Sequence, residues 1–345
     1  FENVRAVYGA AGFVLGAAYA LRAAGDTGND ALSWLSPIGW GQRTYPYTGD
    51  RWWPLLLPLA LSGLLVAAAV VLQQRRDFGA GLVRPRPGRA TASRAFGNAY
   101  GLAWRLQRGA MLGWVTGLAL LGAAYGSVGT SMQQYVEDNP EIAEFLPGGA
   151  ADIIDAYLAL TVGLTALIAA AYGVSSAIRM RAEETSGRAE PVLATATSRF
   201  TWLAAHLSVA LAGSALALFA TGLGEGLTYG LATSDAGQVP RLIGGALTYL
   251  PAVWLIIAVA VLAIGWLPRA AAVTAWVAVG YCAVVALFAD SFNLPGWAQR
   301  ASPFAHTPRV PLDNLAVTPL LVVGACAAAL FGIGYAGLRR RDLGY

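Results

Sequence analysis

The sequence contains no lysine; all 23 of its basic residues are arginine. This excludes a Schiff-base or catalytic lysine and a phosphate-cradling GxxxxGK[ST] loop, so any ATP the protein uses must be bound by another chain. Charged residues of every kind fill only 12% of the 345 positions, and histidine and cysteine occur twice each. Cys282 and Cys326 lie in separate apolar runs and read as small buried hydrophobes, with no disulfide framework. His206 reads as a packed or interfacial imidazole, and His306 stands far from it, with no HExxH and no cysteine pair, so metal chemistry has no ligand set. No catalytic, cofactor-binding or metal-binding residue is expected in this chain. What the sequence does have is hydrophobicity: 57% of its residues are apolar and the mean hydropathy is +0.54, outside the range of soluble domains. An all-α polytopic membrane protein is expected.

Apolar runs of about 20 residues or more, enough to cross a bilayer core, occur at 5–24, 54–73, 109–130, 153–178, 201–228, 242–266, 270–290 and 316–338, which predicts eight transmembrane helices. Their connections fall into two sets. One holds 17 arginines against six acids, net +11, and the other six arginines against thirteen acids, net −7, which together reproduce the overall +4. The sets alternate through all eight runs, and arginine-rich loops stay in the cytoplasm, so both ends of the chain are expected inside.

An internal repeat is visible at an offset of 265 to 266. Leu35-Ser36-Pro37-Ile38 returns as Ala301-Ser302-Pro303-Phe304, Arg43 as Arg309, Pro54-Leu55-Leu56 as Pro319-Leu320-Leu321, and Arg75-Arg76-Asp77-Phe78-Gly79 as Arg340-Arg341-Asp342-Leu343-Gly344. Six runs separate equivalent positions, which makes the halves parallel rather than inverted repeats. The chain would then hold one whole six-helix repeat and the last two helices of another, with about 190 residues and four helices expected upstream. The organisation expected is 1–79 for the last two helices of the first repeat, 80–108 for a cytosolic linker and an interfacial elbow helix, and 109–345 for the second repeat. In the elbow, Tyr100, Trp104 and Leu106 alternate with Arg105 and Arg108, the pattern of a short helix in the headgroup layer or of an arginine-capped start to the next helix. Gly109, Gly113 and Gly117 follow at four-residue spacing, either a strip for a second helix backbone or incidental glycine.

Between two long apolar runs lies a charged island, Arg179 to Arg199. Its acids suggest a short helix, with Pro191 ending or kinking it and Val192 and Leu193 able to pack under a partner. Here the sequence resembles the permeases of ABC type-2 exporters, which carry a coupling helix of the form E-x-x-x-G-x-x-E-x-L-L-x-x-P-V-S-R between their second and third helices. Glu183, Gly187, Glu190, Leu193, Ser198 and Arg199 fill that pattern; Pro191, Val192 and Ala196-Thr197 depart from it. With LAWRLQRG at 102–109, SPFAH at 302–306 and RRRDLG at 339–344, the whole chain is similar to bacterial polyketide-antibiotic exporters of the tetronasin-resistance type.

That resemblance implies a multi-pass permease in the bacterial plasma membrane that expels hydrophobic small molecules. It would pair with two copies of an ATP-binding cassette subunit holding ATP and Mg, and would bind no nucleic acid. Glu183, Glu184, Gly187, Glu190, Leu193 and Arg199 would dock the ATPase. A substrate pathway could use Glu225, costly at membrane depth, or Asp152 and Asp155 at the mouth of a helix behind the acidic loop 137–144. Two other readings stay open: a proton-coupled carrier, which needs buried acids, and a non-transporting membrane immunity or scaffold protein. Gly332-Ile333-Gly334-Tyr335-Ala336-Gly337 matches GxGxxG but sits in an apolar run with no preceding strand, against dinucleotide binding.

Overall fold

The computed structural model describes residues 4–27, 30–75, 91, 97–138 and 149–341, and every regular element among them is helical. The chain forms two compact units, Phe1–Thr91 and Ala92–Tyr345. Seven of the described helical segments are long and apolar enough to cross a membrane, as a polytopic all-α membrane protein requires. The expected first run, 5–24, falls within one helix, Val4–Thr27, which includes an apolar stretch at Val7–Tyr19.

The first unit holds α1 (Val4–Thr27), α2 (Asp30–Trp34), α3 (Pro37–Gln42), a 3-10 turn at Trp53–Leu55 and α4 (Leu56–Gln74). Ser36 ends the α2–α3 turn and donates its hydroxyl to the Ala18 carbonyl of α1 at 2.6 Å, a buried bond. Helix α4 has no buried residue, and Leu59, Leu64, Leu65 and Val66 are more than 60% exposed. An apolar helix bare on all sides suits hydrocarbon or a partner helix, not water.

The second unit begins with α5 (Ala99–Asp138), a single helix in which the predicted elbow, 98–108, runs without a break into the next segment. The elbow's small side packs inward, Ala103 being buried with Ala205 and Val209, while Tyr100, Trp104 and Arg105 remain exposed. Then come α6 (Gly149–Thr185), α7 (Glu190–Leu193), α8 (Arg199–Thr233), α9 (Gln238–Leu247), α10 (Leu250–Trp266), α11 (Ala271–Phe288), α12 (Gly296–Ala301), a 3-10 turn at Pro303–His306 and α13 (Val317–Arg340). Helices α6 and α10 are the centre. Leu158, Val162, Ala166, Ala170, Val174 and Ala177 recur at helical spacing on α6 and meet Val253, Ile256, Ile257 and Ala260 of α10 in one core. At 1.5 Å per residue, α5, α6 and α8 are each more than about 50 Å long. They outreach a hydrocarbon core of about 30 Å, so their ends stand in water.

Small residues decide the closest helix contacts, and of the two readings of Gly109, Gly113 and Gly117 the incidental one holds. A side chain at Gly109, Gly113 or Gly117 would meet nothing, whereas one at Gly122 would strike the Thr221 carbonyl and one at Gly126 the Glu225 carbonyl and the Thr228 hydroxyl. The crossing with α8 therefore lies one turn or more beyond the predicted strip, where Thr228 also donates to the Ala123 carbonyl at 2.9 Å. The GxGxxG stretch is a packing device too. A side chain at Gly334 would lie 2.9 Å from the Leu262 backbone nitrogen and one at Gly337 2.9 Å from the Gly265 carbonyl carbon, so these two glycines seat α13 against α10.

Candidate functional site

The charged island sits where α6 stops. Ser186 and Gly187 donate backbone N–H groups to the carbonyls of Ala182 and Glu184, and Gly187 takes the left-handed conformation, φ +70°, that commonly ends a helix. An added side chain at Gly187 would touch nothing, so Gly187→Ala carries only the backbone penalty, about 1–2 kcal/mol. A thermal melt should show this small loss and no further defect. Pro191 does not end a helix as its position suggested. It lies in the first turn of α7, where a missing N–H goes unused. Ser198 caps α8, accepting the Thr201 N–H at 3.1 Å, so the serine-arginine pair of the motif is the start of a helix.

Around this turn the carboxylates divide by role. Glu184 is held by a two-pronged Arg341 guanidinium at 2.6 and 2.7 Å and by Arg181 at 3.0 Å, and its side chain is only 4% exposed. Glu183 accepts from Arg188 at 2.7 Å, with Arg179 3.8 Å away. Arg199 turns toward the end of α13 and donates to the Arg341 carbonyl at 2.8 Å, satisfying a carbonyl the helix leaves open. Arg181 donates to the Pro268 carbonyl between α10 and α11 at 3.1 Å. The cluster thus ties the ends of α6, α8, α10 and α13 together. Val192 and Leu193 are half-buried against a small core that includes Met180, Trp202, Leu203 and Leu338. Glu190, Pro191, Arg188 and Phe200 are left facing out, Phe200 being 55% exposed and edge-on to Tyr335 at 5.2 Å.

The six predicted docking residues are therefore contiguous, but Glu183, Glu184 and Arg199 spend their charge inside the chain while Glu190 presents its charge outward. The pattern gave no sign of Arg341, 157 positions beyond its partner Glu184. Nor did it mark Phe200, whose one signal is an aromatic ring at the polar start of a helix. Beneath the cluster a buried polar chain crosses three helices: Ser176 donates to Gln107 at 2.6 Å, and the Gln107 amide lies 3.2 Å from His206 Nδ1. His206 also meets Trp202 edge to face at 5.6 Å, the packed imidazole expected.

Two of the predicted pathway acids, Asp155 and Glu225, have separate partners. Asp155 pairs with Arg241 of α9 at 2.5 Å. Glu225 is fully buried, accepts the Thr161 hydroxyl at 2.6 Å through Oε1 and has no partner at Oε2. The Asp152 side chain, like residues 139–148 of the acidic loop, lies outside the described residues. A pocket of about 230 Å³ opens elsewhere, between α6, α11 and the segment from Gln299 to Arg309, and neither Glu225 nor Asp155 lines it. Among the described residues no cluster of histidine, cysteine or acids could hold a metal ion.

Comparison with known proteins places this arrangement. The chain is 44% identical over 333 residues to the multidrug efflux system permease protein Rv1217c of Mycobacterium tuberculosis, an alignment covering 96% of this chain and 61% of that relative. The chain thus spans less than two thirds of the relative's length. Residues 96–339 match the family described as multidrug efflux system permease Rv1217c, C-terminal domain. That stretch holds all of α5 to α12, nearly all of α13 and the island, though not Arg341, and the protein belongs to this family.

Proposed function

We propose that this chain is the membrane-spanning permease part of an ATP-driven exporter of hydrophobic compounds, with ATP and Mg held by two copies of a separate ATP-binding cassette subunit. The observation that carries the reading is the island. It is a short turn of helix packed by Val192 and Leu193 beside a cluster in which the buried Glu184–Arg341 ion pair and hydrogen bonds from Arg181 and Arg199 join the ends of four long helices, with Glu190, Pro191 and Phe200 facing outward. Such a turn cannot be pushed without moving what it is tied to, which is what a lever between motor and membrane needs. The arginine-rich end of the second unit is the cytoplasmic one in this reading, at the plasma membrane of a bacterium, with both chain ends inside. The relative's description as a multidrug efflux permease supports export as the direction and drugs as the cargo.

Parallel repeats fit this reading, and local bonds support them. Helices α2 and α12 begin 266 residues apart, at Asp30 and Gly296. Trp40 donates its ring N–H to the Trp34 carbonyl at 2.6 Å, and His306, 266 positions on, places Nε2 2.7 Å from the Arg300 carbonyl, again six residues back. Two halves rocking against each other would expose a central path to alternate sides.

Pull-down of the permease from bacterial membranes should bring an ATP-binding subunit with it, and efflux should stop on ATP depletion while surviving collapse of the proton gradient. The buried, half-satisfied Glu225 is the one observation that favours proton coupling instead. Efflux that fails with the proton gradient, and in Glu225→Gln alone, would replace the exporter by that carrier.

A further inference from the structure

The pocket between α6, α11 and the 299–309 segment has a lining no part of the lever accounts for. Leu160, Leu164, Val285 and Phe304 make its walls, and Tyr249, Ser302, Gln299 and Arg309 contribute the polar groups. Gln299 spends its amide N–H on the Leu294 carbonyl at 2.9 Å, and Arg309 pairs with Asp313 at 3.2 Å while its side chain stays 66% exposed. Ser302 is fully buried, and its hydroxyl has no nitrogen or oxygen partner; its polar neighbour is the Cys282 thiol, a weak one. The equivalent hydroxyl in the first unit, Ser36, is satisfied by a helix carbonyl. One copy of the same Ser-Pro turn is thus closed on itself, and the other keeps a buried donor at the edge of a cavity.

A buried hydroxyl whose one polar neighbour is a thiol is under-satisfied, so the site is completed when a ligand supplies an oxygen acceptor. The tyrosine and serine hydroxyls and the Arg309 guanidinium all donate, and no carboxylate lines the walls. A cationic ligand would find no counter-charge there, whereas a carbonyl or ether oxygen would find partners. The volume, about 230 Å³, is below the roughly 300 Å³ at which drug-sized sites begin, so it takes one ring system or chain end, not a whole large molecule. We infer that this pocket binds the uncharged, oxygen-bearing end of a hydrophobic molecule, with the Ser302 hydroxyl donating to that oxygen. The inference rests on the exporter reading for its meaning, since it would make this the cargo's contact on the second unit, but binding itself needs no motor.

Photolabelling of bacterial membranes that carry the permease, with benzophenone and without ATP, tests it. Benzophenone is an uncharged aryl ketone, and its adducts can be placed by peptide mass spectrometry. Adducts are expected on 159–164 and 302–305, displaced by excess diphenyl ether and not by tetraphenylphosphonium. Ser302→Ala should lower labelling about tenfold. Leu160→Trp, a change at a position 56% exposed and tolerant of bulk, should abolish it. Labelling spread over the exposed apolar helices and indifferent to both variants, or displaced equally by the phosphonium, overturns the inference. Site-specific labelling in a protein whose efflux ignores ATP would keep the pocket and sink the exporter. ATP-driven efflux with no specific labelling would do the reverse.

Discussion

Reversing one charge at Glu190 is expected to cut drug-stimulated ATP hydrolysis by about 10- to 100-fold while leaving the permease inserted and folded. Glu190 is exposed, opens the one-turn helix α7 and has no ion-pair partner among the described residues, so nothing inside the chain depends on it. Where an exposed acid docks on basic residues of a motor subunit, Glu190→Arg would set like charges together, which costs several kcal/mol at an interface, and each 1.4 kcal/mol is a factor of ten. ATPase assays of the reconstituted complex against a thermal melt of the permease separate coupling from folding. Glu184→Arg should behave differently. It removes the carboxylate that Arg341 and Arg181 share and leaves two half-buried cations facing a third, a loss of roughly 2–4 kcal/mol that the melt itself will show. If both variants melt as the parent and both keep full stimulated hydrolysis, the island is not the lever.

Gly126→Leu is expected to do more damage than any surface change, and Gly113→Leu almost none. Both glycines lie on α5, and nothing in their spacing ranks one above the other as a helix contact. A side chain at Gly126 has a backbone carbonyl and the Thr228 hydroxyl in its path, and backbone cannot swing aside. Overpacking of this kind costs about 1–3 kcal/mol or more, and here it would part α5 from α8 beside the buried Glu225. A side chain at Gly113 has open space. Detergent-solubilised variants compared by thermal unfolding and by expression level should separate the two plainly. Equal stability would mean that the α5–α8 contact is not where the structure puts it.

The difference between those glycines shows how much of the fold the sequence carries. Long apolar runs bounded by arginine give helices in water-poor surroundings almost without ambiguity, because a backbone in hydrocarbon has to satisfy its own hydrogen bonds. Spacing of small residues, by contrast, says that a helix could be approached closely and not which turn is approached. Gly109, Gly113 and Gly117 look as suitable as Gly122 and Gly126; the crossing point follows from where α8 lies, which is a property of two chains of residues about a hundred positions apart. The GxGxxG stretch is the same lesson in reverse, two of its glycines being used to admit α10 and none to admit a phosphate.

The candidate site divides in the same way. The island's position between two long helices was legible, while its Gly187 stop and Ser198 cap, though local preferences of a few residues, were read only as places in the docking pattern, with the stop given to Pro191. Which acid faces out was not legible. Glu184 and Glu190 are equally acidic in the string, yet one is folded inward because Arg341 arrives from the far end of the chain and the other is left to solvent. Likewise Ser36 and Ser302 each precede a proline that opens a helical turn, and their hydroxyls differ because one reaches a helix carbonyl and the other does not. By itself the sequence determined the all-helical membrane class and the place of the charged turn, both of which depend on neighbours within a turn or two. The tertiary structure alone decided which charges are spent within the protein, which glycines are contacts and where a cavity remains, because each depends on groups that meet only when distant helices pack.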